Sequence, residues 1–273
     1  MLYLCATPIG NLKDITLRAV EALSACDAVF CEDTRQTAKL LNHLNIKKPL
    51  ISCHEHNERF RAEELTRRLK EGETVCYCSD AGMPCISDPG AELVRVCIEN
   101  GLDFTVLPGA SAAITAVALS GLAPQPFTFF GFLPRESAKR RRMLDDIANT
   151  SHLCLLYESP HRVLTTLEQL KERLGAETEA AVLRELTKRF ESVYRGRLGE
   201  LAALLPADLK GECVIAVLPG AETAKAGEGE LDSMLTQLLK TCPVRDAATA
   251  AAEALALPKK RCYARALELS NEE

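Results

Sequence analysis

The first 120 residues alternate between short apolar runs and longer stretches with helical patterning, and this alternation constrains the fold more than any other feature. The apolar runs, in chain order, are "LYLCAT", "DAVFC", "PLISC", "TVCYC" and "DFTVL". Apolar residues occupy successive positions in the last two runs, as they do in strands that are buried on both faces. Repeated strand–helix units of this kind predict a mostly parallel sheet with helices on both faces.

The chain changes character at "SGLAPQP", residues 120–126, and we place a domain boundary between residues 120 and 121. Beyond it, the strand-like runs "AAVLREL" and "FESVYRGRL" succeed each other directly. Strands joined so closely indicate antiparallel or mixed pairing. The sequence therefore predicts two α/β domains, the first over residues 1–120 with a parallel sheet and the second over residues 121–219 with a mixed sheet.

A polar segment rich in Gly, Ala and Glu follows, and its composition predicts a linker over residues 220–230. The remaining residues, 231–273, contain three stretches with helical patterning that Pro243 and Pro258 separate. We therefore expect a short helical appendage of three helices at the C-terminal end.

Composition and patterning exclude several classes of protein. No apolar stretch reaches the roughly 18–20 residues that a membrane helix needs, and the first residues lack the basic region of a signal peptide. The 12 cysteines lie mostly within apolar runs and include no CxxC pair, which favours buried thiols in a reducing compartment over disulfides or zinc. We expect a cytoplasmic protein with no membrane anchor and no metal site.

One predicted loop is longer and more unusual than a strand-to-helix turn requires. It is "SDAGMPCISDPG", residues 79–90, which contains two aspartates, two glycines and two prolines. In open α/β sheets, ligands bind beside loops at the carboxyl ends of strands. Asp80 is a candidate for binding a ribose hydroxyl or for holding the loop through an Asx-turn. Asp88, which precedes Pro89, is predicted to be the N-cap of the next helix.

Other strand ends also carry candidate binding residues, although the chain has no G-x-G-x-x-G sequence. In "TPIGNLKD", Pro8 and Gly10 would let the backbone approach a ligand closely, and a structural turn is equally compatible. In "LPGASAAITA", small side chains leave room for a flat ligand or for close helix packing. In "CEDTRQT", Asp33 or Thr34 is a candidate helix cap, and Arg35 a candidate contact for an anionic substrate.

Basic residues are concentrated in the second half, although the formal net charge of the chain is −5. Residues 135–142 hold five basic residues and one acid, and residues 184–197 hold five basic residues and two acids. Such clusters can bind phosphate groups, and a solvated helix face is the alternative explanation. The candidate substrate-binding residues in them are Arg140, Arg141, Arg184 and Lys188.

Seven sequence segments, taken together and in order, closely resemble a known family over essentially the whole chain. They are "ATPIGNLKDIT", "CEDTRQT", "SDAGMPCISDPG", "PGASA", "GFLP", "YESPHR" and "RELTKRFE". The family is the RsmI (YraL-type) family of bacterial ribosomal RNA methyltransferases, in the tetrapyrrole-methylase-like superfamily. The resemblance implies methyl transfer from S-adenosylmethionine to the ribose 2′-oxygen of a cytidine in the decoding region of 16S rRNA, with the small ribosomal subunit as partner.

The resemblance also implies where the cofactor binds. In such proteins it lies folded in a cleft between two α/β domains and is held largely by backbone and loop contacts. The residues that this similarity assigns to cofactor binding are Pro8, Ile9, Asp80, Gly82, Met83, Ser111 and Ala112. The chain departs from the family pattern at Met83 and Cys85, where smaller residues such as Thr and Gly are expected.

Methylation of a hydroxyl also requires that its proton be removed, by a base or late in the reaction by water. The candidate bases are Asp33, Glu158, Glu185 and Lys188, of which we favour Asp33 and Glu158 as catalytic residues. A helix cap or an ion pair within "YESPHR" is the alternative role for Glu158.

The superfamily is commonly dimeric, so a homodimer is expected. Two other functions stay open from the sequence. The first is a small-molecule tetrapyrrole methylase, against which the basic clusters argue. The second is a non-catalytic ribosome-assembly protein of the same fold, against which the intact loop motifs argue.

Overall fold

A computed structural model describes residues 1–123, 125–220, 231–255 and 259–271. Its first part forms a five-stranded sheet from β1 (Leu2–Cys5), β2 (Ala28–Cys31), β3 (Leu50–Ser52), β4 (Val75–Cys78) and β5 (Phe104–Leu107). The helices that follow these strands are α1 (Leu17–Ala25), α2 (Thr34–His43), α3 (Glu58–Lys70), α4 (Ala91–Asn100) and α5 (Ala112–Ser120).

The strand order in this sheet is β3-β2-β4-β1-β5, and every pairing is parallel, as the sequence predicts. All residues of β2 and β4 are buried because helices cover both faces of the sheet. The loops after β1, β2, β4 and β5 therefore leave the sheet at one edge, where ligands bind in open α/β sheets.

The second sheet contains β6 (Phe127–Phe132), β7 (Leu153–Glu158), β8 (Glu179–Arg184), β9 (Ser192–Arg197) and β10 (Cys213–Val217). Its order is β6-β7-β10-β8-β9; β6 and β7 pair in parallel and the other pairs are antiparallel. The predicted mixed sheet is thus confirmed. One face is covered by α6 (Ser137–Ala148), α7 (Val163–Leu174) and α8 (Leu198–Leu204).

The helix α5 connects the two sheets in an unexpected way. It follows the last strand of the first sheet, yet it packs on the second sheet, where Ala116 is buried against Leu153, Leu155 and Ala181. Ile9, from the loop after β1, belongs to the same apolar cluster. Residues from the first half therefore cover the remaining face of the second sheet and hold the two sheets together.

The C-terminal part is helical, as predicted. It contains α9 (residues 231–239), α10 (Val244–Ala254), for which Pro243 is the N-cap residue, and α11 (Lys259–Asn271). These helices share a core of their own, built around Leu235, Ala247 and Ala266. The predicted linker lies outside the described residues apart from Gly220, as does Pro258.

None of the helices in the described part of the chain is long and apolar enough to cross a lipid bilayer.

Candidate active site

A cavity of about 440 Å³ lies between the carboxyl edge of the first sheet and the second sheet. Its volume is within the range of small-molecule binding sites. The first half contributes Ile9, residues 81–83 and 86–88, and the start of α5 at Ser111 and Ala112. The second half contributes Phe132, residues 157–160, Leu186 and residues 211–214.

Five of the predicted cofactor-binding residues line this cavity, namely Ile9, Gly82, Met83, Ser111 and Ala112. Glu158, one of the two favoured bases, also lines it. Of the described residues, the other candidates lie outside the lining: Pro8, Asp33, Arg35, Asp80, Arg140, Arg141, Arg184 and Lys188. The structure therefore brings together the predicted residues of three loops but keeps the basic side chains away from the cavity wall.

Two loops of the first half are joined to form one wall of the cavity. The N–H of Thr7 donates to the carbonyl of Gly82 at 2.9 Å, and the N–H of Gly82 donates back at 3.0 Å. Gly82 has a φ of 80°, and an added Cβ would lie 3.3 Å from Cγ2 of Ile9. A side chain at this position would be strained and would press on the lining, which explains the glycine.

We call residues 79–90 the aspartate loop. It contains two non-glycine residues with left-handed backbone, Cys85 (φ 70°) and Ser87 (φ 64°). Each costs about 1–3 kcal/mol, and such strain persists where the surrounding structure enforces it, often at functional sites. The N–H of Cys85 donates to the carbonyl of Pro89 at 3.1 Å, and a Cβ added at Gly131 of β6 would lie 3.3 Å from Oγ of Ser87, so this loop lies close to β6.

The N-cap prediction for Asp88 is wrong. The N-cap residue of α4 is Gly90, and the cap is supplied by Glu58 at the start of α3. An oxygen of the Glu58 carboxylate accepts from the N–H groups of Gly90 at 2.8 Å and of Glu92 at 2.9 Å. Because a carboxylate from another helix satisfies these donors, Asp88 is not needed there and lies along the cavity instead.

Asp80 links the ends of β4 and β2. Its Oδ1 atom accepts from the N–H of Asp33 at 3.0 Å, so the aspartate loop is tied to the start of α2. Partial burial raises the pKa of Asp80, and the charge of Asp33 raises it further, although the hydrogen bond from Asp33 opposes this. Asp80 therefore ties the aspartate loop to a neighbouring strand end, rather than to its own backbone as the predicted Asx-turn requires.

Asp33 and Arg35 form a pair outside the cavity. Asp33 is the N-cap residue of α2, and its Oδ1 accepts from the N–H of Arg35 at 2.8 Å. The Arg35 guanidinium donates to both carboxylate oxygens, with Nη2 at 2.6 Å from Oδ2. The hydrogen bonds from Arg35 lower the pKa of Asp33 to about 2. A carboxylate with so low a pKa is a weak proton acceptor near neutral pH.

Glu158 is buried at the end of β7, and its oxygens are already engaged. Oε1 accepts from the N–H of Ser159 and Oε2 from the hydroxyl of Thr166, both at 2.8 Å. The Nε of Arg162 lies 3.6 Å from Oε1. These contacts fix the turn into α7, so the structural alternative for Glu158 is realised, although the residue also borders the cavity.

We call residues 185–191 the lysine loop. Like the aspartate loop, it has two non-glycine residues with left-handed backbone, Glu185 (φ 52°) and Thr187 (φ 65°). Nζ of Lys188 donates to Glu185 at 2.9 Å and to Glu212 at 2.7 Å. Burial lowers the pKa of Lys188, but the two carboxylates outweigh it, and the pKa is raised overall. Lys188 is therefore a charged anchor and a poor candidate for a base.

The lysine loop is fitted closely to the loop after β1. A Cβ added at Gly10 would lie 2.4 Å from Cγ of Lys188, so only glycine fits there. The N–H of Asn11 donates to the hydroxyl of Thr187 at 3.2 Å. Arg184 closes the lysine loop from the other side by donating to the carbonyls of Phe190, at 3.2 Å, and Lys210.

The basic residues of α6 are exposed in varying degree. Arg140 is half-buried and donates to the carbonyl of Arg135 at 3.2 Å, whereas Arg141 and Arg142 are exposed. The helix begins five residues after Phe132, which lines the cavity. The charges of Arg141 and Arg142 are therefore available to a polyanion.

Sequence reasoning missed several lining residues, most clearly Tyr157. Its hydroxyl accepts from the N–H of Ala113 at 3.1 Å, which joins the second sheet to the start of α5. The rings of Phe129 and Phe132 pack edge-on against it. An aromatic residue at the end of an apolar strand run, directly before "ESPHR", was the available signal.

The fold and the cleft define a class of protein. The family model for Tetrapyrrole (Corrin/Porphyrin) Methylases matches residues 1–202. Two solved structures share the fold at 18% sequence identity. Diphthine synthase has a TM-score of 0.64 over 80% of this chain and 89% of that chain. The methyltransferase CobJ has a TM-score of 0.63 over 81% of this chain and 94% of that chain.

Relatives with higher sequence identity identify the family within this class. Two proteins named Ribosomal RNA small subunit methyltransferase I, from Vibrio cholerae and Escherichia coli O157:H7, are each 42% identical over 98% of this chain and 94% of their own length. The family model RsmI C-terminal HTH domain matches residues 225–270. The chain belongs to the RsmI family of methyltransferases, as its sequence motifs predict.

Proposed function

We propose that this enzyme transfers a methyl group from S-adenosylmethionine to the RNA of the small ribosomal subunit. The observation that carries the proposal is the cavity at the carboxyl edge of the first sheet, in a chain that belongs to a methyltransferase family named for this RNA. The small-molecule methylases that share the fold are too distant in sequence to argue for a substrate of their kind.

The cavity lining fits such a cofactor. Small residues at the start of α5 and the bare backbone at Gly82 leave space for a flat nucleoside against the main chain. Ile9, Met83 and Leu186 supply apolar contacts for it. We infer that these residues and their neighbours bind it, with Pro8 and Asp80 shaping the loops behind them. The bound cofactor would supply an electrophilic methyl group.

The substrate atom that we infer is the ribose 2′-oxygen of a cytidine in the decoding region of 16S rRNA. The basic residues at the start of α6, Arg140 and Arg141, support an RNA substrate because they can contact phosphates. The other predicted substrate-binding residues are already engaged within the protein: Arg35 by Asp33, Arg184 by two backbone carbonyls and Lys188 by two carboxylates. Phe190 is 64% exposed, and the Arg189 guanidinium lies 5.6 Å from the centre of its ring. An exposed aromatic ring with an adjacent guanidinium can stack on an unpaired base.

The remaining proposals concern the domain boundaries, the oligomeric state and the cellular location. We propose domains over residues 1–120 and 121–219, a linker over 220–230 and a helical segment over 231–273, with α5 as the helix that the two domains share. A homodimer and a cytoplasmic location follow from the family resemblance and from where ribosomes are assembled.

The test is methyl transfer in vitro. The protein is incubated with S-adenosylmethionine labelled in its methyl group and with either free 16S rRNA or assembled 30S subunits. We expect label in the RNA at a cytidine whose 3′ phosphodiester has become resistant to alkaline cleavage, because a methylated 2′-oxygen cannot attack it. The Gly82→Val variant, which narrows the cavity, is the control and should lose transfer. Label on a base, or no label with both substrates, would contradict the proposal.

A further inference from the structure

Among the residues that the structure describes, three with a carboxylate line the cavity, and these carboxylates differ in what they bind. Glu158 accepts hydrogen bonds from Ser159 and Thr166, and Glu212 forms an ion pair with Lys188. Asp88 is half-buried, and none of the described residues forms a hydrogen bond or an ion pair with its carboxylate. A half-buried carboxylate without a partner is costly, and such groups are frequent at catalytic sites.

The loop around Asp88 is held firmly although the carboxylate itself is not bound. Glu58 caps the helix that begins two residues after Pro89. The N–H of Cys85 donates to the carbonyl of Pro89, and Ser87 lies so close to β6 that a Cβ added at Gly131 would be 3.3 Å from its Oγ. These contacts surround Asp88 in sequence and in space, so its position along the cavity is imposed by the backbone.

The electrostatic surroundings disfavour a negative charge on Asp88. Burial, with further contributions from Glu32 and Asp80, raises its pKa to about 7. The titratable groups that act on it or respond to its charge are Glu32 and Asp80 on the carboxyl ends of β2 and β4, Tyr77 on β4, Cys85 in its own loop and Tyr157 on β7. Cations are absent from this set within the described residues.

We propose that Asp88 is the general base that accepts the proton of the substrate hydroxyl. This role rests on the proposed function. As the ribose 2′-oxygen forms its bond to the methyl carbon, the bond between that carbon and sulfur breaks and its electron pair stays on sulfur. The hydroxyl proton passes to the Asp88 carboxylate, which releases it to water after the products leave. Atoms and charge balance without any further reactant.

Asp88 suits this task better than the bases favoured from the sequence. Asp33 lies outside the cavity and is held ionised by Arg35, and both carboxylate oxygens of Glu158 already accept hydrogen bonds. Lys188, a further candidate, is held as an ammonium ion by two carboxylates. A base is most effective when its pKa lies near the working pH, because it is then both available and strong enough to take the proton. Asp88 combines this property with a place on the cavity wall.

The test compares Asp88→Asn with a matched control, Asp103→Asn, at an exposed position at the amino end of β5, far from the cleft edge. Single-turnover methyl transfer to 30S subunits should be slowed by about 10²–10⁴-fold in Asp88→Asn and unchanged in the control. Affinity for S-adenosylhomocysteine, measured by calorimetry, should stay within about threefold. The wild-type rate should rise with pH through about 7, and the residual rate of Asp88→Asn should lack this step.

A second readout does not depend on activity. Carboxyl ¹³C NMR of the cofactor-free protein should show one aspartate that titrates near pH 7 and that disappears in Asp88→Asn. The Asp88→Glu variant, which keeps a carboxylate, should recover part of the rate and shows that the site tolerates substitution.

The outcomes separate the two proposals. If wild type methylates RNA and Asp88→Asn does so within threefold of it, or if rate and cofactor affinity fall together by the same factor, Asp88 is not the base. An aspartate signal near pH 4 for Asp88 would also overturn the role. If wild type itself transfers no methyl group to either RNA substrate, the proposed function fails, whatever the NMR titration shows.

Discussion

The aspartate loop and the lysine loop border the same cavity and carry the same backbone strain, yet they are stabilised differently. Each contains two non-glycine residues with left-handed backbone. Charge pairs hold the lysine loop, through Lys188 between two carboxylates. Backbone hydrogen bonds and the cap from Glu58 hold the aspartate loop, and no residue in the described part of the chain pairs with the Asp88 carboxylate. A paired charge keeps one protonation state and serves structure, whereas an unpaired buried carboxyl can change state near neutral pH.

The largest effect on stability should come from breaking the charge pairs of the lysine loop. Lys188→Met leaves the carboxylates of Glu185 and Glu212 without their cation, and it should lower the free energy of unfolding by about 2–3 kcal/mol at pH 7. Urea denaturation measures this. Lys210→Met is the control, because Lys210 pairs with Asp208 at the surface and should contribute less than about 0.5 kcal/mol. Equal losses in the two variants would show that the lysine loop does not depend on the ion pairs of Lys188.

A smaller loss is expected when the aspartate loop loses its cap. Glu58→Ala leaves the N–H groups of Gly90 and Glu92 without an acceptor and should cost about 1–2 kcal/mol. Glu63→Ala, at an exposed position of the same helix, should cost much less. Hydrogen exchange should also become faster at the start of α4. If exchange there is unaltered, Glu58 is not what holds the aspartate loop.

Asp88→Asn should raise the free energy of unfolding, whereas Lys188→Met and Glu58→Ala should lower it. The folded state raises the pKa of Asp88 from its ordinary 3.8 to about 7, so the folded protein binds the carboxyl proton more tightly than the unfolded chain does. Its contribution to stability is complete below pH 4 and is lost as pH rises through 7. The asparagine variant should therefore be more stable than wild type at pH 8, by about 1 kcal/mol after allowance for solvent in the open cavity. A difference that does not depend on pH would mean that Asp88 is already ionised well below neutrality.

The smallest change in stability is expected for charges that lie outside both loops. Arg140→Glu with Arg141→Glu should alter the free energy of unfolding by less than about 0.5 kcal/mol. The effect should appear instead in RNA binding, where each lost phosphate contact lowers the slope of log affinity against log salt by about 0.7–0.9. Binding to 30S subunits across a salt series measures the slope, with S-adenosylhomocysteine affinity as the control. An unaltered slope would leave the start of α6 as a solvated surface.

Local patterns in the sequence predict the features that depend on neighbouring residues. The apolar runs at Val75–Cys78 and Phe104–Leu107 indicate a parallel sheet, and the loops after them contain Gly82, Ser111 and Ala112, which line the cavity. Only the first run is buried on both faces as predicted, because β5 lies at the edge of the sheet and leaves Val106 exposed. Strand ends meet at one edge of such a sheet, so the position of a loop follows from the order of its elements.

Features that depend on distant partners were not predicted. Asp88 has the local signature of an N-cap, but Glu58, which lies 30 residues earlier in the chain, satisfies the helix donors instead. The packing of α5 on the second sheet was also missed, because an apolar helix carries no sign of which sheet it will cover. Long-range packing decides both outcomes, and a sequence pattern does not record it.

The hydrogen bond between Asn11 and Thr187 joins positions 176 residues apart, so it forms late during translation. Translation makes the first wall of the cavity early, but the opposite wall includes residues 211–214 near the end of the second sheet. At about 5–20 residues per second, the nascent chain spends many seconds with the edge of its first sheet uncovered. The cavity lacks one wall in that interval, so we expect methyl-donor binding and activity only after residues 211–214 have been synthesised and folded.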